Sequence, residues 1–437
     1  MISVSNHHEF VELRQQPQCK THFVFTDIDI ADLDIPEISS AKYQLKNGNA
    51  IGAYKKDSSN TSIASMSRSN KGKKIVAVAV VLLGLILLGA GIPVGLQLRS
   101  SSLLEARLNF VRRLLNESPL IGGSLQTYTE SNFTENYNEI RESLVGTILY
   151  PIRVPCQAQY LDSVQLALEG IDEITRLISR TKGMRIVLTA EEMEQAHNDG
   201  EIGVLLGLEG GHILGSSVAV LRMFYSLGAR FISLTSYECS NPWIAAATTR
   251  EPLFEENIPI SITEFGKIVL KEISRLGMLA EIAHLSEPSM MQVLNNAKTP
   301  LLISNAIPSA AVLPNVTNLI PDHVLSALSS NGGVLTINID KLSVKEAIHN
   351  INYVRALAGL DHIGLGATSS PRKYALLLAE LARDRLWNNA SLKKLVGGNI
   401  VRVLQKVEAN RNKVPLSEEW IPQEEIEGNA YCRYPES

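Results

Sequence analysis

The chain has 437 residues, of which 45% are hydrophobic and 20% charged, and a net charge of −4. That composition is that of a folded protein, and the mild negative balance gives no reason to expect nucleic acid as a partner. Four cysteines, Cys19, Cys156, Cys239 and Cys432, exclude a disulfide-dense scaffold, so any large domain must be held by its own core.

Residues 1–74 carry no sustained helical or strand period. Within them Thr26–Ile38 alternates acids with apolar residues, as a short strand, an interaction peptide or a disordered tail would, and Ser58–Ser69 is a Ser- and Asn-rich linker. The segment is expected to be a largely disordered tail. Ile75–Leu96 then runs for 22 positions without a charge, enough helix to cross a hydrocarbon core of roughly 30 Å. With 74 residues ahead of it, this run is expected to be an uncleaved signal anchor rather than a signal peptide. Arg68, Lys71, Lys73 and Lys74 precede it, which places the N-terminus in the cytoplasm and the C-terminus outside. The expected organisation is a cytoplasmic tail over 1–74, a transmembrane segment over 75–96 and an ectodomain over 97–437, a single-pass type II protein of the cell membrane. Sequons at Asn132, Asn315 and Asn389, with a weaker one at Asn116, agree with an extracellular C-terminal part.

After the span, Leu103–Asn116 has apolar residues at helical spacing, and Asp162–Ser179 is an amphipathic helix. Ile202–Leu208 reads as a buried strand ending at Glu209. Val218–Tyr225 is helical, Phe231–Leu234 a strand, Thr263–Arg275 a helix, and Met278–Ile282 a strand ending near His284. Leu301–Ile303, Val334–Ile339 and Ile363–Leu365 are further strands; Pro321–Ser329, Val344–Ala358 and Lys373–Arg385 are further helices. Short, unalternated apolar strands between helices suit a parallel sheet covered on both faces, and the repetition suits a (β/α)8 barrel, with a doubly wound sheet as the alternative. No glycine-rich phosphate loop follows a first strand. Glu209 and His284 stand at strand C-terminal ends, where barrel chemistry sits; they read as a metal site or as a hydrogen-bonded structural pair.

Four stretches resemble the membrane (renal) dipeptidase family of zinc hydrolases: Gly207-Leu-Glu-Gly-Gly-His212, Leu234-Thr-Ser-Tyr-Glu-Cys-Ser-Asn-Pro-Trp243, Arg275-Leu-Gly-Met-Leu-Ala-Glu-Ile-Ala-His284 and Gly359-Leu-Asp-His-Ile-Gly-Leu-Gly366. Shorter matches at Val154-Pro-Cys156, Phe265-Gly266, Gly332-Gly333-Val334 and Gly397-Gly398-Asn399 keep the family's order. The resemblance implies an α/β (β/α)8 TIM-like metallohydrolase barrel, two zinc ions and hydrolysis of dipeptides. Such a site needs carboxylates and neutral imidazoles around metals about 3.5–4 Å apart.

Residue by residue, the chain departs from that pattern. Where the family carries His-x-Asp after its first strand, Ser124 and Gln126 stand here. Glu209 matches the bridging carboxylate and His284 the first later His, but Asn305 replaces the second. Ser236 replaces a substrate-contacting His, and Thr368 replaces the acid/base Asp. Thr317 and Asn318 precede Ile320-Pro321-Asp322, where the family places the Arg that grips the substrate carboxylate. Ser, Gln and Asn bind zinc poorly, so the resemblance implies zinc while the residues predict that it is weakly held or absent. His212 follows the family's Gly-Gly pair outside the metal set, and His362 reads as structural.

Cys156 and Cys239 match a family disulfide. Cys432 resembles the C-terminal cysteine that joins family members into disulfide-linked homodimers, and three extracellular cysteines leave one over for such a bond. The polar tail Glu424–Ser437 differs from the hydrophobic tail that precedes a lipid anchor in the family, so the N-terminal span is expected to anchor the chain. The expectation is a membrane-anchored, catalytically inactive dipeptidase-family ectodomain that acts by binding a dipeptide, another ligand or a protein. The alternative is an active zinc dipeptidase.

Overall fold

The computed structural model describes residues 103–122, 133–237, 239–247, 261–309, 319–340, 342–368 and 370–413, all within Val94–Ser437, the second of two compact units. No helix among the described residues is long and apolar enough to cross a membrane; the apolar run 75–96 lies outside them.

Among the described residues there are ten strands: β1 Leu120–Gly122, β2 Val145–Arg153, β3 Met184–Ile186, β4 Ile202–Glu209, β5 Phe231–Ser233, β6 Leu279–Glu281, β7 Leu302–Pro308, β8 Leu319–Ile320, β9 Val334–Ile337 and β10 Ile363–Leu365. Eight pair in parallel in the order β1-β2-β4-β5-β6-β7-β9-β10, with β3 added to β4 and β8 to β7. This is a nearly closed TIM-like barrel. The order never reverses, as it must in a doubly wound sheet, so that alternative is overturned.

The helices are α1 (103–117), α2 Phe133–Glu142, α3 Ser163–Arg180, α4 Ala190–Asn198, α5 Val218–Ser226, α6 Glu264–Leu276, α7 Glu287–Asn296, α8 Asp322–Asn331, α9 Val344–Ala358, α10 Arg372–Leu381, α11 Asn389–Lys393 and α12 Asn399–Glu408. Their ends follow local chemistry. The Thr263 hydroxyl accepts from Gly266 N at the start of α6, and Gly277, at φ 70°, ends that helix in the left-handed conformation. A capping box between Ser343 and Glu346 opens α9. α3 buries Ala167, Ile171, Ile174 and Ile178, one stripe at three- and four-residue spacing.

Alternation along each strand separates two faces. Leu149, Leu205, Phe231, Leu279, Leu302 and Val334 form one apolar cluster. Their immediate neighbours Ile148, Leu206, Ile232, Ala280, Ile303 and Leu335 belong to another, which also takes in Ala167 of α3, Val269 of α6, Val324 of α8 and Ile351 of α9. The second face therefore meets most of the outer helices, and the first turns to the barrel lumen, where Met193 of α4 and Leu404 of α12 join the same cluster. Phe231 fills that lumen: a Cβ added at Gly207 would lie 2.3 Å from its ring. A π-helical turn, Lys394–Gly398, packs against both β1 and β10, the two ends of the barrel sheet.

Candidate functional site at the barrel mouth

Two to four residues beyond the lumen cluster, the inward face turns polar. Arg153, Glu209, Ser233 and Glu281 are in register across β2, β4, β5 and β6, at the C-terminal ends of those strands. They share parity with Leu149, Leu205, Phe231 and Leu279, so their side chains project into the mouth. This is the position where barrel enzymes carry their chemistry.

Two separate carboxylates meet different partners there. Arg153 Nε donates to Glu209 Oε2 at 2.7 Å, and the two side chains are 36% and 15% exposed. Glu281 is buried and is met by neutral donors: Ala283 N at 2.8 Å, Ser304 N at 3.2 Å, Ser304 Oγ at 3.0 Å and the Ser233 hydroxyl. Nothing in the linear sequence singles out Arg153, which sits just before Val154-Pro155-Cys156. Glu281 does leave a signal, a charged residue inside the apolar run Met278–Ile282.

Asn305 sits in a bulge of β7, where the register against β9 shifts between Ile303 and Ala306, and its φ is 50°. Asn is among the few side chains that adopt this left-handed geometry readily. Its Oδ1 accepts from Ala367 N at 2.6 Å, and its own N–H donates to Thr336 Oγ1 at 2.9 Å. The side chain thereby joins β7 to the segment after β10. Gly366 makes room for it, since a Cβ there would lie 2.5 Å from Asn305 Oδ1. Thr368 is buried; its hydroxyl donates to Asp340 Oδ1 at 2.7 Å and accepts from Ser370 N at 3.1 Å. Lys373 Nζ donates to the carbonyls of Ile339 and Leu342, both at 2.5 Å, and so holds the β9–α9 loop against α10.

His284 stands beyond β6, with the Tyr237 ring edge-on at 6.2 Å between centroids. Among the described residues, no hydrogen bond reaches its imidazole and none joins it to Glu209. Ser236 pairs with Cys239 in the loop after β5. That loop is tied to the turn after β2 by the Cys156–Cys239 disulfide, as the family pattern implies. His212 is buried next to Gly210, with Nε2 3.1 Å from Val154 O and, among the described residues, no partner for Nδ1. Burial, opposed by the Val154 carbonyl, pushes its pKa down to about 4, so the ring is neutral near neutral pH and its Nε2–H donates to that carbonyl. His362 Nδ1 lies 2.8 Å from Gly333 O, a structural tether between β9 and β10.

Glu209, Ser236, His284 and Thr368 are thus placed at strand ends or in the loops that follow them, and Asn305 in the bulge within β7. Ser124, Gln126, Asn132, Asn315 and Cys432 lie outside the described residues, and Asn389 is exposed at the start of α11. Among the described residues the donor set does not fit zinc. Among the described residues, no three His, Cys, Asp or Glu side chains converge as a metal site requires. The Glu209 carboxylate meets a guanidinium, and the Asn305 carbonyl is engaged by a backbone N–H.

Comparison with known proteins accords with this fold. Residues 99–418 match the model for "Membrane dipeptidase (Peptidase family M19)". Mouse Dipeptidase 3 is 33% identical over 316 residues, which are 67% of this chain and 62% of that protein. The chain therefore spans less than two thirds of that relative's length. Among solved structures, an amidohydrolase from Pseudomonas aeruginosa superposes with a TM-score of 0.59 at 18% identity, covering 68% of this chain and 99% of that one. A metallopeptidase from Rhodobacter sphaeroides, solved with a phosphinate mimic of the dipeptide L-Ala-D-Ala, gives 0.58 at 17% identity, covering 66% and 99%. At those identities the structural likeness speaks to the fold alone.

Proposed function

The chain belongs to the membrane dipeptidase family, peptidase family M19, and from that premise we propose that it is a non-catalytic member which acts by binding at the barrel mouth. The observation that carries this reading is the occupation of the retained carboxylate: Glu209, at the position of the family's metal bridge, is ion-paired to Arg153. The other matched positions support it. Asn305 is built into the β7–β10 seam, and Thr368 offers a hydroxyl already bonded to Asp340 in place of an acid/base carboxylate. General acid–base help alone contributes about 10²–10⁴-fold to such reactions, and the metal term is separate from it. Losing both leaves no route to peptide hydrolysis at a useful rate.

The ligand of such a mouth is a dipeptide-like molecule or a segment of a partner protein. The rest of the organisation belongs to the same proposal: a membrane anchor over 75–96, a C-terminal part outside the cell with glycans at Asn132, Asn315 and Asn389, and a homodimer joined through Cys432. A second reading, a working zinc dipeptidase, draws on the retained Glu209 and His284.

Assays of dipeptide hydrolysis by the full chain with added zinc separate the two. The expected rate equals that of the Glu209→Gln variant, and Asn305→His alone creates no activity. Chelator-sensitive hydrolysis that Glu209→Gln abolishes would overturn the non-catalytic reading.

A further inference from the structure

Glu209 stands in the barrel mouth with its side chain 15% exposed, where a carboxylate is stabilised by a counter-charge or by hydrogen-bond donors. Among the described residues, Glu209 has one ion pair, with Arg153. The two residues are in register on adjacent strands and project into the same lumen. We infer that the Arg153 guanidinium is the resident cation of this barrel, held in the place that the family gives to metal, so that the mouth excludes divalent ions by occupation as well as by missing ligands.

Three features carry this. Contact through Nε at 2.7 Å places the guanidinium directly on Glu209 Oε2. A guanidinium keeps its charge at physiological pH, so it repels a second cation brought to the same carboxylate. And the pair gives a reason for Glu209 to persist: with neither metal nor Arg153, its charge would be uncompensated. Glu281, two strands further round, needs no such cation because backbone and hydroxyl donors surround it. The inference rests on Glu209 standing at the family's metal-bridging position, which the proposed function also uses.

The test uses the full chain with zinc chloride as the probe and the unfolding midpoint as the readout. Without metal, Arg153→Met and Glu209→Gln each lower the midpoint, and the double variant recovers most of the loss. Added zinc leaves the unmodified chain unmoved. It raises the midpoint of Arg153→Met by about 2–4 °C at ten times the dissociation constant and leaves Arg153→Met/Glu209→Gln in place. Arg153→Gln is the second variant should the methionine variant fail to fold, with the same expectation. Additive single losses, or a zinc response of the unmodified chain as large as that of the arginine variant, would overturn the inference. Zinc binding without hydrolysis would sink this inference and leave the non-catalytic reading. Hydrolysis without any zinc response would do the reverse.

Discussion

Glu272→Ala is expected to cost about 3–5 kcal/mol of stability, the range for breaking one side of a buried ion pair. Glu272 is 1% exposed on α6 and is gripped by two guanidiniums from different directions. Arg222 of α5 reaches Oε1 at 2.6 Å, while Arg275, one turn on in α6, donates to both oxygens at 2.7 Å. Removing the carboxylate leaves two cations facing each other, with the Arg275 side chain only 15% exposed. The titration of Glu272 gives the effect a pH signature. Burial raises its pKa, but the hydrogen bonds and charges of Arg275 and Arg222 outweigh burial and hold it below the usual carboxylate value. A depressed carboxylate stabilises the fold fully above the unfolded value of about 4.3, and that contribution is lost as pH falls through the folded value. Urea denaturation at neutral and acidic pH checks both parts. The gap between wild type and variant should be wide at neutral pH and shrink in acid; a gap below about 1 kcal/mol at neutral pH would show that the pair is not held as described.

Loss of the Cys156–Cys239 disulfide is the second large effect. The two residues are 83 positions apart, and closing a loop of that length in the unfolded chain corresponds to about 4–5 kcal/mol in the chain-entropy account. The bond also fixes the loop after β5, which carries Ser236 and Tyr237 beside His284. Cys156→Ser/Cys239→Ser should therefore lower the denaturant midpoint to the level that reduction gives in the unmodified chain. If the variant and the oxidised parent unfolded together, the bond would be carrying no stability.

The elements legible in the sequence were those whose burial is one-sided or complete over a regular period. α9 falls at Val344–Ala358 and β10 at Ile363–Leu365, as the apolar spacing places them, and α3 is displaced by one residue to Ser163–Arg180. β2, nine residues long, left a weaker trace, because Gly146, Thr147 and Pro151 interrupt its apolar run and Pro argues against an inner strand. β7 extends to Pro308, well past the expected Ile303, because the bulge at Asn305 carries the chain through a conformation that no periodicity reports. The π-helical turn that holds Gly397 likewise depends on tertiary neighbours: a Cβ at Gly397 would lie 2.3 Å from Pro119 O.

The candidate site divides along the same line. Glu209 and His284 were readable because strand ends and motif matches mark them. Arg153 was not, since an arginine before a turn is usually a solvated one, and only the register with β4 brings it onto Glu209. The role of Asn305 also needed three dimensions: its amide closes the β7–β10 seam through Ala367, 62 residues away in sequence.

On this proposal the chain is a family barrel in which Arg153 and the Ala367 N–H already engage Glu209 and Asn305. Elemental mass spectrometry of the purified full chain, prepared without chelators, tests that most directly. The account predicts far less than one zinc per chain; two tightly held zinc ions per chain would contradict it.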